Sequence, residues 1–99
     1  MGGGTELNPT AIKEGYIVAN GNTTQTIETS KTYIVAVSAN YANTGAILLD
    51  TYKVENGTVT VIYDATLFTA VSVTVSGTTL TIANSSTSIT ISYTIIQLD

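Results

Sequence analysis

The sequence predicts an all-β fold, an antiparallel β-sandwich or jelly roll of about eight strands. Three observations predict it. The first is alternation: "VTVSGTTLTIANSSTSITISYTII", Val73 to Ile96, places apolar and small polar residues in turn, interrupted by Ser-Gly and Asn-Ser-Ser. The second is the surface. Charged residues make up only 10% of the chain, and 20 Thr, 8 Ser and 7 Asn take their place. Thr is branched at Cβ and suits a pleated surface, whereas helical proteins cover themselves with Glu, Lys, Arg and Gln. The third is punctuation, with turn signals recurring every 8–12 residues or so.

The elements follow in order. Residues 1–14 are expected to be a flexible lead-in, an expression remnant or a cut linker, and residues 15–99 the sandwich domain. Asn8-Pro9 is a breaker, and Thr10 to Glu14 fits one helical turn. "GYIVAN" is a strand ending at Asn20-Gly21-Asn22. "TTQTIETS" is polar and suits a sheet edge. In "KTYIVAVSA", Tyr33, Val35 and Val37 share one face and Ile34, Ala36 and Ser38 the other. Both faces are largely apolar, which places this strand centrally. "NYANTG" is a loop. "AILLDTYKV" then forms a hairpin with "TVTVIYD" through Asn56-Gly57. "ATLFTA" is a connection that buries Leu67 and Phe68. "VSVTVS" and "TLTIA" pair across Ser76-Gly77. "SITISYTIIQL" is the last and longest strand.

That last strand raises a question. Ile89, Ile91, Tyr93 and Ile95 form its core face, yet Ile96 and Leu98 follow on the other side. Two explanations stand: a strand end tucked against a loop, or a contact between copies of the chain, with Tyr93, Ile95, Ile96 and Leu98 as candidate interface residues. The apolar residues on both faces of "YIVAV" and "AILL" favour the second.

The chemistry inventory is short. There is no His, Cys, Arg or Trp, so Ser-His-Asp and Cys-His catalysis and imidazole or thiolate metal ligation are excluded, as are disulfides. The glycines do not follow phosphate-loop or dinucleotide spacing. No cofactor is expected. A net charge of −4 with three Lys provides no basic footprint for nucleic acid or for an anionic membrane. No run approaches the ~18 apolar residues of a membrane span, and Met1-Gly2-Gly3-Gly4 lacks the charged start and apolar stretch of a signal peptide.

Among the carboxylates, Asp50 and Asp64 fall on neighbouring hairpin strands. A glycosidase pair is conceivable there, but solvated charges that blunt a sheet edge explain them more simply. No acidic loop dense enough for calcium is present. Asn22, Asn56 and Asn84 head N-x-Ser/Thr sequons in predicted turns. Tyr41 lies between Asn40 and Asn43 in a loop closed by Gly45. An aromatic among amides suits sugar contact, while turn geometry and loop anchoring explain the same residues. Asn40, Tyr41 and Asn43 are therefore the candidate ligand loop.

"VSVTVSGTTLTIANSSTSITISYTIIQLD" resembles the C-terminal ends of bacteriophage tail-fibre and head-fibre proteins. In those, Thr/Ser-rich strands with a Ser-Gly hairpin finish in a Tyr/Trp-Thr-Ile-Ile-x-Leu strand. "TYIVAVSAN" is similar to the opening strand of such knob domains. The resemblance spans Gly15 to Asp99. It implies a non-enzymatic β-sandwich tip domain, homotrimeric, on the virion surface, that adheres to host cell-surface carbohydrate or caps a fibre. No shaft or particle-attachment region accompanies it, and no individual binding residue carries over. The alternative is an extracellular bacterial adhesin or pilus-like module. Such modules can carry a Lys–Asn crosslink near an acid. Lys31 and Glu28 are present, but the final strand lacks the Asn.

Overall fold

A computed structural model describes residues 9–40, 46–65 and 69–99. Among them are eight strands and no helix. The strands are β1 (Thr10–Ile17), β2 (Asn22–Thr26), β3 (Thr32–Asn40), β4 (Ala46–Glu55), β5 (Thr58–Asp64), β6 (Val71–Ser76), β7 (Thr79–Asn84) and β8 (Ile91–Gln97). They form two antiparallel sheets, one ordered β1-β8-β3-β4-β5 and the other β2-β7-β6. The sheets pack face to face as a β-sandwich.

Period two decides which side chains go inside. Tyr33, Val35, Val37 and Ala39 of β3 are buried, as are Ile91, Tyr93 and Ile95 of β8 and Leu49, Tyr52 and Val54 of β4. Val73, Leu80 and Ile82 of the smaller sheet face them. β3 lies between β8 and β4, which accounts for its two apolar faces. β2 is an edge strand of the smaller sheet, in keeping with its polar sequence. Lys13 ties this edge to the larger sheet: its Nζ donates to Thr23 Oγ1 and to the Thr24 carbonyl, each at 2.9 Å.

The turns follow their residues. Asn56 and Gly57 both have positive φ, 51° and 76°, which is the type I′ hairpin that matches strand twist. Only Gly77 is positive in the β6–β7 turn, φ 60°, as a type II′ turn requires.

The structure corrects the sequence reading at three places. Thr10 to Glu14 is not a helical turn in a lead-in but the first part of β1, held by pairing with β8 from Thr10↔Gln97 to Ile17↔Ile91. β8 begins at Ile91 rather than Ser88 and is not the longest strand. Tyr93 and Ile95 are not interface residues in this fold, because both are spent in the chain's own core, with Ile95 fully buried. Ile96 and Leu98 do lie outside the core and are half-buried.

Candidate functional site

Side chains on the outer face of the five-stranded sheet come from residues that alternate with the core. The register sets them in rows. One row runs Ala11, Ile96, Ile34, Lys53, Thr60 and the next Glu14, Thr94, Ala36, Thr51, Tyr63. Tyr16, Ser92, Ser38 and Leu48 form a third. Ile34 and Ile96 are direct partners on adjacent strands at the sheet centre. Tyr16, Leu48 and Tyr63 are exposed around them, Tyr16 at 80%. Lys53 is paired with Glu55 at 3.5 Å, and Glu14 sits on the edge strand β1.

The outer face of the smaller sheet is different. Its rows are Asn22, Ala83, Ser72, then Thr24, Thr81, Thr74, then Thr26, Thr79, Ser76. Both outer faces carry hydroxyls, but only the larger sheet places two large aliphatics, Ile34 and Ile96, side by side at its centre, with Lys53 next to Ile34.

A shallow groove of about 290 Å³ opens at the β1 edge of the larger sheet, lined by Glu14, Gly15, Tyr16, Ser92, Tyr93 and Thr94. Gly15 is the direct partner of Tyr93, and the Tyr93 ring lies over it, 3.5–3.7 Å from where a Cβ would stand. The aromatic fills the place of the missing side chain.

Asp50 is the second feature of note. It is only 6% exposed, so its reading as a solvated edge charge is overturned. Tyr52 Oη donates to Asp50 Oδ2 at 2.7 Å. Burial foremost, then this bond and the negative charges of Asp50 and Asp64, hold the Tyr52 phenol well above its ordinary range. Asp64 is the cross-strand partner of Asp50 and is exposed. No cluster of three or more metal-ligating residues occurs among the described residues.

Asn84 is the third. It is 1% exposed, and its Nδ2 donates to the carbonyls of Ile17, Val18 and Ile89 at 2.8–3.2 Å. Its Oδ1 accepts from Ser86 N at 3.0 Å. Such an amide is closed to glycan attachment in the folded chain. Asn22 and Asn56 are exposed, so of the three sequons only these two present an accessible amide.

Of the candidate ligand loop, Asn40 ends β3, while Tyr41 and Asn43 lie outside the described residues, as do Leu67 and Phe68. Lys31 and Glu28 belong to the β2–β3 turn, where Lys31 N donates to the Glu28 carbonyl. Glu28 is exposed, which denies a Lys–Asn crosslink its buried acid. Sequence reasoning missed the Gly15–Tyr93 groove, the buried Asp50 and the Asn84 node; the only signal for any of them was the isolated Gly in a strand pattern at position 15. In comparisons with known proteins the chain matches no family model, no curated protein and no solved structure.

Proposed function

We propose that this chain is a non-enzymatic fibre-tip domain of a virion appendage, assembled as a homotrimer through the aliphatic face of its five-stranded sheet. The observation that carries the proposal is the contrast between the two outer faces, with Ile34 against Ile96 at the centre of one and Thr rows on the other. The resemblance of the β6–β8 sequence to phage fibre ends supplies the class and the symmetry. Five strands at their usual spacing make a face of roughly 500 Å². Three such faces turned toward one axis bury roughly 1,500 Å² in the assembly. Adhesion to host-surface carbohydrate then works by multiplicity, with weak sites repeated around one rigid axis. The missing catalytic side chains agree with a binding or capping role.

Light scattering on the purified protein tests this. The expected mass is about three times the 10.3 kDa of one chain. Ile96→Lys is expected to reduce it to one chain while leaving the fold intact, because a Lys on an open face extends its amine to water, whereas a Lys between subunits cannot. A wild-type mass of one chain contradicts the proposal.

A further inference from the structure

We propose that Asp50 and Asp64 together hold a hard divalent cation of the Ca²⁺ class, at the corner where β5 leaves the larger sheet. The site comes from two strands, so no acidic loop announces it in the sequence. Asp50 and Asp64 are direct partners in the β4–β5 ladder, which sets their Cβ atoms about 4.5–5.5 Å apart on one face. Like charges placed so repel each other.

A second observation concerns Asp50 alone. Its carboxylate lies inside the sandwich, yet only Oδ2 is partnered, by the Tyr52 hydroxyl. Oδ1 is buried and receives no hydrogen bond. A buried carboxylate with one neutral donor and an acid opposite is costly unless positive charge reaches it.

The chain's own cations are committed elsewhere. There is no Arg, and there are three Lys. Lys13 Nζ is held by Thr23 and Thr24 of β2. Lys53 is paired with Glu55 and lies on the outer face, in the row of Ile34 and Ile96. Lys31 precedes Thr32, which pairs with Glu55, whereas Asp50 pairs with Val37, five residues further along β3. Among the described residues no Lys of the chain is placed at Asp50, and an ion from solution would supply the charge. That Tyr52 feels both Asp50 and Asp64 agrees with two carboxylates sharing one small volume.

The ligand chemistry selects the ion. Oxygen donors alone, few in number and open to water on the Asp64 side, suit a cation with a flexible shell that keeps several waters. A site so sparsely built belongs with weak extracellular modules, with Kd on the order of 10⁻⁴–10⁻³ M.

Thermal melts of the full chain, with and without about 10 mM CaCl₂, test the site, and the expected rise is roughly 7–13 °C. NaCl at equal ionic strength should not reproduce it. Tb³⁺ provides a second readout, as Tyr-sensitised emission that Ca²⁺ displaces. Asp50→Asn and Asp64→Asn should each abolish both responses. Asp64 is exposed, so its variant reports on the site even where the Asp50 variant folds poorly. A wild-type melt and Tb³⁺ emission indifferent to Ca²⁺ overturn the proposal, as do responses that survive in Asp64→Asn. Stabilisation by acid alone, with no effect of Ca²⁺, overturns it in favour of a proton shared between the carboxylates.

Discussion

Asn84→Ala is expected to destabilise the domain by about 3–5 kcal/mol, measured as the shift of a denaturant-unfolding midpoint at constant slope. Asn84 ends β7, and its side chain reaches two other segments. It meets the end of β1 through the carbonyls of Ile17 and Val18, and the 85–90 connection through the Ile89 carbonyl and Ser86 N. Its backbone N also donates to the Gly21 carbonyl. Truncation leaves a buried donor and several acceptors without partners at once, at about 1–3 kcal/mol for each fully buried group. The total falls below the sum because the connection relaxes toward water. On a domain of 99 residues a loss of this size lowers the melting temperature by more than about 12 °C. Asn22→Ala is the control: Asn22 is exposed on β2, and its loss should stay within about 0.5 kcal/mol.

Ile82→Ala is expected to cost about 3–4 kcal/mol. Ile82 is fully buried at the middle of β7, between Thr23 of β2 and Val73 of β6. The smaller sheet offers few buried aliphatics, with Leu80, Ile82 and Val73 carrying its inner face. A cavity there cannot collapse easily, because Tyr33, Val35 and Ile95 opposite belong to the stiff central strands of the larger sheet. Ile82→Val at the same position should cost only about 0.5–1.5 kcal/mol. The contrast between the two variants separates cavity formation from a general intolerance of the strand.

These two positions also show what the residues declare and what they conceal. Ile82 was legible: "TLTIA" alternates without a break, and its parity assigns Leu80 and Ile82 to the core. The same reasoning placed β3 at the centre and β2 at an edge, and found the Asn56-Gly57 and Ser76-Gly77 turns. Asn84 read only as a turn residue, because its partners lie 5 and 66–67 positions away along the chain. Those partners also explain why β8 starts late. Ile89 N donates to Ser86 Oγ at 3.0 Å, and the Ile89 carbonyl accepts from Asn84, so the alternating Ser88-Ile89-Thr90 is drawn out of the ladder.

β1 was concealed for a similar reason. "TAIKE" carries Ala, Lys and Glu, which favour helix in isolation, and only the long-range pairing with β8 makes it a strand. Asp50 shares the parity of the buried Tyr52 and Val54, and its charge rather than the pattern argued for the surface; the register shift between Val37 and Ser38 turns Leu49 inward beside it. Of the candidate interface, Tyr93 and Ile95 serve the chain's own core, as the parity of the last strand implies, while Ile96 faces outward beside Ile34.

The absence of Cys from the chain allows a direct measurement of whether that outward face is covered. Single-thiol variants Ile96→Cys and Thr81→Cys place one reporter on each outer face, and the rate of reaction with a water-soluble maleimide reads its accessibility. If sister chains cover the aliphatic face, the thiol at 96 is protected while that at 81 reacts freely, and dilution below the assembly's dissociation constant releases the first. Equal, rapid labelling at both positions at every concentration would show a solitary sandwich and contradict the account.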